Sequence, residues 1–292
     1  MSATTATTDE QRAGRTADYD GTPVAYTEFG DPDGEPVVFF HGTPGSRLLA
    51  GLYDDPAQTR GVRVLSFDRP GYGETPPVAE YDQTDSPELL AAVLDDAGVE
   101  SADLVAFSGG APHALAAAAA NADRVGDVDV VSGGVPASVR EETPTPQRVL
   151  GSLAEHAPRL LGGLLRGQAW AARRLPASFV VAQYTTDGGE DLPEAVRELV
   201  KRDFLKALAA HRAGVVRESR QFTGDWTFPL SAVDAEVRWW HGEDDANVPV
   251  DGARRVANRL PDCECSVLAG VDHLGALVES RERVLDRYAP DT

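Results

Sequence analysis

The chain has 292 residues, 42% of them hydrophobic, and 47 acidic side chains against 27 basic ones give a formal charge of −20. A chain of this length buries about three quarters of its unfolded surface, which suits one large domain with an insertion. So acidic a surface repels nucleic acid, which is excluded as a partner. No run of about 20 apolar residues occurs, so no membrane span is predicted.

The acidic surface is also poor in lysine. Lys201 and Lys206 are the only lysines, so arginine supplies nearly all the positive charge. This composition resembles that of proteins from halophiles that accumulate salt. At molar salt the Debye length is about 3 Å and carboxylate repulsion is screened, whereas in dilute buffer the repulsion opposes the compact state. We expect instability at low salt; an ordinary acidic cytosolic protein is the alternative.

The first residues predict a tail. They lack the basic start and the apolar run of a secretory signal. Residues 1–13 are therefore expected to be flexible, and the protein to be cytoplasmic.

Beyond the tail, strand-like and helix-like segments alternate. Strands are predicted over residues 16–19, 24–29, 37–40, 62–67, 103–107, 127–131, 235–240 and 263–268. Helices are predicted over residues 48–59, 86–97, 112–121, 252–260 and 274–288. Such alternation predicts an α/β fold whose mostly parallel, eight-stranded sheet has helices on both faces. Active residues then belong at the carboxyl ends of the strands.

The alternation stops between residues 134 and 228. Three amphipathic helices are predicted there, over residues 148–165, 168–175 and 194–214, with no strand between them. The sequence thus predicts a core of residues 14–134 and 228–292 and a helical insertion of residues 135–227. A separate helical domain is the alternative, although no flexible linker precedes it.

The two cysteines, Cys263 and Cys265, lie two residues apart on the last predicted strand and would share one face. A disulfide between them is geometrically poor, and no neighbouring ligand pair supports a metal site. Buried core thiols are expected.

Ser108 is the principal candidate for chemistry. The apolar run 104–107 ends on Ser108 and two glycines, and an alanine-rich segment follows, which predicts strand, tight turn and helix. A serine on such a turn projects its hydroxyl away from the backbone, and the next amide lies at the N-terminus of the helix, where it can face an oxyanion. A chance loop serine is the alternative.

Four further segments support the first interpretation. They are His41-Gly42-Thr43-Pro44-Gly45 after a strand, the Asp68-to-Gly73 segment, Gly242-Glu243-Asp244-Asp245-Ala246-Asn247-Val248-Pro249, and Gly270-Val271-Asp272-His273. With them the chain resembles the α/β-hydrolase superfamily over about residues 14–288, and the order Ser, Asp, His is that of its triad. In this superfamily the sharp turn that carries the nucleophile between strand and helix is called the nucleophile elbow. One departure is Ala106, where the usual elbow has glycine.

The resemblance implies residue roles. Ser108 would be the nucleophile, Asp245 the acid and His273 the base. Asp245 is preferred to Asp244 because the spacing from Gly242 to Val248-Pro249 matches the family. The backbone N–H groups of Thr43 and Gly109 would form the oxyanion hole. The insertion resembles the superfamily's cap, which would select substrates.

Other polar residues are assigned structural roles. His41 and His241 end strands, and His113 is expected to be a hydrogen-bonded helix residue. Arg47 could bind a substrate carboxylate, although an exposed salt bridge is the simpler expectation. Asp272 is expected to be a solvated loop carboxylate.

The resulting hypothesis is a serine hydrolase that cleaves carboxylic esters through an acyl-enzyme. It needs no cofactor and no metal, and its partner is a small-molecule substrate; the sequence leaves a homo-oligomer open. Carbon–carbon bond hydrolases, cofactor-free haloperoxidases, thioesterases, acyltransferases and iminopeptidases use the same residues, so these activities stay open. A non-catalytic ligand-binding protein on this fold is the alternative from another class.

Overall fold

The computed structural model describes residues 14–141 and 143–290, so the predicted tail, residues 1–13, lies outside the described residues. In the described part, eight strands form one sheet in the order β1-β2-β4-β3-β5-β6-β7-β8. These are β1 (Arg15–Tyr19), β2 (Thr22–Gly30), β3 (Glu35–Phe40), β4 (Val62–Phe67), β5 (Ala102–Phe107), β6 (Val125–Val131), β7 (Val237–Gly242) and β8 (Cys263–Leu268). Strand β2 pairs antiparallel with β1 and β4, and the other pairings are parallel. The predicted eight-stranded, mostly parallel sheet is confirmed.

The helices are α1 (Asp54–Arg60), α2 (Ser86–Ala97), α3 (Ala111–Ala120), α4 (Thr145–His156), α5 (Pro158–Ala172), α6 (Ser178–Val181), α7 (Glu194–Ala207), α8 (Ala213–Gln221), α9 (Val250–Ala257) and α10 (His273–Tyr288). Helices α2, α3 and α9 pack on one face of the sheet. Helices α1 and α10 and the insertion pack on the other. Both faces of the sheet are therefore covered, as predicted.

Alternation along the strands builds a core on each face. On β3, Val38 and Phe40 belong to the core shared with α2 and α3. Val37 and Phe39 belong to the opposite core. Because successive strand residues face opposite ways, a strand buried on both faces is apolar throughout. This explains the uninterrupted Val37-Val38-Phe39-Phe40 run.

Helices α4 to α8 lie between β6 and β7. The single helix predicted over residues 148–165 is wrong, because α4 ends at His156 and α5 begins at Pro158. Proline disfavours helical backbone at the preceding residue and suits the first turn of a new helix. The helix predicted over residues 194–214 is likewise two, α7 and α8.

The two cysteine thiols are free and half-buried, packed against the core beneath α9. Burial raises the pKa of Cys263 to about 12, so its thiol stays protonated. Among the described residues, no helix is both long and apolar enough to cross a bilayer.

Candidate active site

Ser108 lies on a strained turn between β5 and α3. Its φ is +51°, a left-handed conformation that non-glycine residues rarely adopt and that costs on the order of 1 kcal/mol or more. The N–H of Gly134 donates to the Ser108 carbonyl at 2.8 Å and holds the turn. A Cβ on Gly110 would lie 2.4 Å from the Phe40 carbonyl oxygen, so the turn packs directly against β3. Ala106, the departure from the usual elbow, is fully buried in the core.

Asp245 and His273 meet beside the carboxyl ends of β7 and β8. His273 Nδ1 lies 2.7 Å from Asp245 Oδ2, and both side chains are buried. Asp245 Oδ1 accepts hydrogen bonds from the N–H groups of Asn247 and Val248 at 2.9 and 2.8 Å. Asp244 is exposed. The structure therefore pairs His273 with Asp245.

The environment of Asp245 favours its ionised form. Burial acts to raise the pKa of Asp245, but the charge of His273 and its hydrogen bond outweigh burial, and the pKa lies below its ordinary value. The ionised Asp245 carboxylate accepts a hydrogen bond from the Nδ1–H of His273. This leaves Nε2 of the imidazole as the nitrogen free to take up a proton.

Three residues not singled out in the sequence hold His273. Ser132, which has a φ of +46°, donates its hydroxyl to the His273 carbonyl at 3.1 Å. The Phe107 and Tyr184 rings lie 4.9 and 6.5 Å from the imidazole, and Tyr184 is stacked with it. Because Tyr184 belongs to the insertion, the insertion contributes to the surroundings of this histidine.

Thr43 and Gly109 approach each other beside Ser108. A Cβ on Gly109 would lie 3.3 Å from Thr43 N and 2.3 Å from Thr43 Oγ1, so only glycine fits there. The Thr43 N–H donates to no acceptor among the residues that the structure describes. Gly109 is the second residue of a short helical turn, where N–H groups lack partners within the helix. Two backbone donors thus stand next to the serine.

Behind Thr43 lies a buried ionic cluster that sequence reasoning missed. Glu218, on α8 of the insertion, is 2% exposed, and Arg69, from the loop after β4, is fully buried. Arg69 Nε and Nη2 donate to the two Glu218 carboxylate oxygens, each at 2.9 Å. The hydroxyls of Tyr72 and Thr43 also donate to Glu218. A glutamate on an amphipathic helix is typical of a solvated face, so no sequence signal identified it.

One cavity of about 560 Å³ is lined by Ser108, Gly109, Thr43 and His273. Much of the remaining wall comes from the insertion and from the loop after β7. The apolar lining residues include Val135, Leu150, Phe222 and Val248, and the charged ones include Arg140, Glu141, Asp251 and Arg255. The five residues proposed for chemistry from the sequence therefore fall at or directly behind one wall of this cavity.

The other histidines have structural surroundings. His41 is fully buried, and burial and the nearby Arg69 hold its pKa well below the ordinary value. His113 is buried and its Nδ1 lies 2.8 Å from Ser86 Oγ. His241 lies between the Trp239 indole N–H and the Val248 carbonyl. None of these rings lines the cavity.

Two polar residues differ from expectation. Arg47 is 5% exposed and is held by Asp68 and Glu74, so both the exposed salt bridge and the substrate-binding role are wrong. Arg47 begins a short 3-10 helix, Arg47–Tyr53, that packs against α7, and α7 excludes solvent from it. Asp272 caps α10 by accepting from Gly275 N at 2.8 Å, and it also accepts from Thr186 N at 2.9 Å. It therefore orders the start of the helix that carries His273, which a solvated carboxylate would not do.

The chain is similar to known hydrolases. A family model described as "Alpha/beta hydrolase family" matches residues 37–287. A 2-hydroxy-6-oxononadienedioate/2-hydroxy-6-oxononatrienedioate hydrolase from Cupriavidus pinatubonensis is 30% identical over 82% of this chain and 80% of that protein. A non-heme chloroperoxidase from Kitasatospora aureofaciens is 27% identical over 92% and 94%. The solved structure of an esterase from Exiguobacterium antarcticum matches with a TM-score of 0.72 and 18% identity over 94% and 97%; this last likeness concerns the fold alone.

Proposed function

The chain belongs to the alpha/beta hydrolase family, and on that premise we propose that it is a serine hydrolase that cleaves carboxylic esters through an acyl-enzyme. One observation carries the proposal. A strained serine, a histidine tied to a buried carboxylate and two free backbone donors border the same cavity.

In the first step Ser108 attacks the ester carbonyl carbon. A serine hydroxyl is a weak nucleophile near neutral pH, so it must lose its proton to a base as the new bond forms. His273 Nε2 is that base, because its Nδ1 is engaged by Asp245 at 2.7 Å. Asp245 fixes the tautomer and stabilises the imidazolium that results.

The attack converts the carbonyl oxygen into an oxyanion. The N–H groups of Thr43 and Gly109 donate hydrogen bonds to this oxyanion, and each such donor contributes about 3 to 4 kcal/mol to transition-state stabilisation. The intermediate then collapses, the carbon–oxygen bond to the leaving alcohol breaks, and His273 returns the proton to the alcohol. Water repeats the sequence on the acyl-enzyme and releases the acid.

The cavity fits a small-molecule ester. Its volume of about 560 Å³ lies within the range of roughly 300 to 1,000 Å³ usual for ligand pockets. The insertion supplies Leu150 and Phe222 to the apolar wall. We propose that it acts as a cap that encloses the acyl group and selects substrates.

The experiment combines labelling with turnover. Fluorophosphonate should modify wild-type protein at Ser108, and a panel of p-nitrophenyl esters of increasing chain length, assayed in high salt, should show which acyl group the cavity accepts. Ser108→Ala should lower turnover by about four orders of magnitude or more and abolish labelling. Ser152→Ala, at an exposed serine of α4, is the matched control and should keep both. Full esterase activity in Ser108→Ala would refute the proposal.

Hydrolysis of a carbon–carbon bond is the second candidate. The relative that is 30% identical is named for a substrate with two carboxylates. In this chain Arg140 lines the cavity, and its hydrogen bonds go to the carbonyls of Val135 and Phe222 rather than to a carboxylate of the described residues. The Arg140 guanidinium is therefore the group in the cavity lining that suits an anionic substrate.

The two candidates differ in the bond that breaks. If 2-hydroxy-6-oxo dienoates are cleaved with a higher kcat/KM than every ester in the panel, the second candidate replaces the first. Better turnover of esters, together with no cleavage of the dienoates, supports ester hydrolysis.

A further inference from the structure

The buried cluster behind Thr43 connects the insertion to the proposed oxyanion hole. We infer that Glu218 is a positioning residue which, through Arg69 and Thr43, orients the Thr43 N–H toward the oxyanion. The inference rests on the proposed serine hydrolase function and adds a requirement to it. The hole is complete only when α8 of the insertion is seated on the core.

The peptide that carries the proposed donor has a fixed orientation. The Gly42–Thr43 peptide is trans, so its C=O and N–H point in opposite directions. The Gly42 carbonyl accepts from Arg69 Nη2 at 3.2 Å and from His41 Nδ1 at 2.8 Å. Since the carbonyl is fixed toward this buried side, the Thr43 N–H faces the opposite side.

Both ring nitrogens of His41 have hydrogen-bond partners, and these fix its tautomer. The backbone N–H of Arg69 donates to His41 Nε2 at 3.2 Å, so Nε2 carries no proton. The proton of the neutral ring is therefore on Nδ1, which donates to the Gly42 carbonyl. Burial and the Arg69 charge lower the pKa of His41 and keep the ring in this neutral form. A cationic and a neutral donor on one carbonyl polarise the peptide, which strengthens the hydrogen bond that its N–H can donate.

The charge of Arg69 is balanced by Glu218. The guanidinium is fully buried, and an unpaired charge there would be strongly destabilising. Glu218 is its ion-pair partner, with two contacts at 2.9 Å. Burial acts to raise the pKa of Glu218, but Arg69 outweighs it and holds that pKa well below the ordinary value, so the carboxylate stays ionised.

Thr43 also contacts Glu218 directly. Its hydroxyl donates to the same carboxylate oxygen that accepts from the Tyr72 hydroxyl. Thr43 is therefore held at its side chain by Glu218 and at its preceding carbonyl by Arg69. Although the proposed oxyanion donor is the backbone N–H of Thr43, a substitution that removes its hydroxyl also removes a contact that positions this N–H.

Glu218→Gln is the direct test. The amide keeps the shape but leaves the Arg69 charge unpaired, and one of its two oxygens becomes a donor. We expect kcat per fluorophosphonate-titrated site to fall about 10- to 100-fold, a somewhat smaller loss than removal of an oxyanion donor itself causes. KM should stay within about threefold of the wild-type value. A trifluoromethyl ketone, which forms an alkoxide on addition of Ser108, should bind more weakly by the same factor. Glu218→Asp, which restores the charge, should recover part of both.

The controls separate positioning from loss of fold. Asp129→Asn on β6 disrupts the ion pair of a buried carboxylate with Arg238 on β7; neither residue lines the cavity, so this variant should keep kcat per titrated site. Thr43→Val removes the hydroxyl and keeps the N–H, so it should lower kcat about 3- to 10-fold, and less when Glu218 is already glutamine, since coupled residues are not additive. Thr43→Val also keeps the test available if Glu218→Gln does not fold.

The outcomes distinguish two failures. If wild-type protein neither reacts with fluorophosphonate nor turns over esters, the proposed function fails. If wild-type protein is active and Glu218→Gln keeps both its kcat per site and its affinity for the trifluoromethyl ketone, the positioning role fails while the proposed function stands. Additive effects of Thr43→Val and Glu218→Gln would also overturn the positioning role.

Discussion

Nδ1 of His273 lies 2.7 Å from Oδ2 of Asp245, in a buried position where the backbone of residues 247 and 248 fixes the carboxylate. The adjoining Asp244 is exposed. Two successive aspartates thus differ completely in surroundings, and only one reaches the imidazole. This difference gives a direct test of which carboxylate supports the base.

Asp245→Asn should lower kcat about 10⁴-fold, because the amide cannot hold the Nδ1–H tautomer that leaves Nε2 as the base. Asp244→Asn is the matched control at the next position and should keep wild-type turnover. Ester hydrolysis measured from pH 6 to 10 checks both variants. A large loss in Asp244→Asn, with little change in Asp245→Asn, would reverse the assignment.

The alanine of the elbow gives a second prediction. Ala106 is fully buried on β5, and its methyl group belongs to the core. Ala106→Gly should therefore destabilise the fold by about 1 to 2 kcal/mol, from a lost buried methyl and a more flexible strand. Turnover should be unchanged, since the turn itself fixes Ser108. Thermal melts and ester kinetics measure the two effects separately.

Gly110→Ala is the contrasting variant. Its Cβ would lie 2.4 Å from the Phe40 carbonyl oxygen and 2.9 Å from that of His41, and both contacts are with backbone. Because neither atom can rotate away, the turn must shift and turnover should fall at least tenfold, as expected when reacting groups are misplaced by about 1 Å. Wild-type kcat in Gly110→Ala would show that the turn tolerates such a shift.

Sequence patterns predicted the sheet because parallel strands buried on both faces are uninterrupted apolar runs. Strands β5, β7 and β8 end shortly before Ser108, Asp245 and His273, respectively, so the positions of the proposed reacting residues follow from where strands stop. The elbow could be predicted because its residue types have local preferences: the serine and glycines suit a tight turn, and the alanines that follow favour a helix.

The contacts made by the insertion could not be predicted in this way. Glu218 lies 149 residues from Arg69 and 175 from Thr43 in sequence, and nothing local distinguishes it from a solvated glutamate. The burial of Arg47 could not be predicted for the same reason, since it depends on how α7 covers the segment that begins at Arg47. The break before Pro158, in contrast, follows from proline's effect on the preceding residue and was available in the sequence.

The salt requirement suggested by composition gives a third prediction. With a formal charge of −20, the folded state is opposed by repulsion that salt screens. The melting temperature should rise between about 0.1 M and about 3 M KCl, concentrations over which the Debye length falls from about 10 Å to below about 3 Å. Equal melting temperatures would contradict this expectation.

A charge variant shows whether repulsion is the cause. Glu190, Asp191 and Glu264 are exposed, and their replacement by Gln, Asn and Gln removes three negative charges without touching the core. This variant should melt at a higher temperature than wild type in dilute buffer and show a smaller salt effect. If its melting temperature in dilute buffer does not rise, a cause other than repulsion must underlie any salt dependence.

A second buried carboxylate of the insertion gives the last prediction. Asp203, on α7, is 3% exposed and accepts from the N–H and the hydroxyl of Ser46 at 2.8 and 2.6 Å. Burial raises the pKa of Asp203 to about 7, with a smaller contribution from the charge of Asp68. Its unfolded value is near 3.9, so the folded state binds the extra proton between about pH 4 and pH 7.

The sign of the effect follows from proton binding. Where the folded state holds more protons than the unfolded state, the free energy of unfolding falls as pH rises, so Asp203 destabilises the fold progressively from pH 4 to 7 and no further above. Asp203→Asn cannot titrate and keeps an acceptor oxygen for Ser46. Its free energy of unfolding relative to wild type should therefore increase by about 2 to 3 kcal/mol between pH 5 and pH 8.

Denaturant titrations of both proteins at pH 5 and pH 8 measure this difference. The buried histidines, whose pKa values are lowered, oppose this trend with pH, but they are common to both proteins and cancel in the comparison. Asp191→Asn, at an exposed position before α7, is the control and should show no change with pH in the same comparison. A difference between Asp203→Asn and wild type that stays constant from pH 5 to pH 8 would mean that Asp203 ionises at an ordinary pKa, and that the contact between α7 and Ser46 tolerates a full charge.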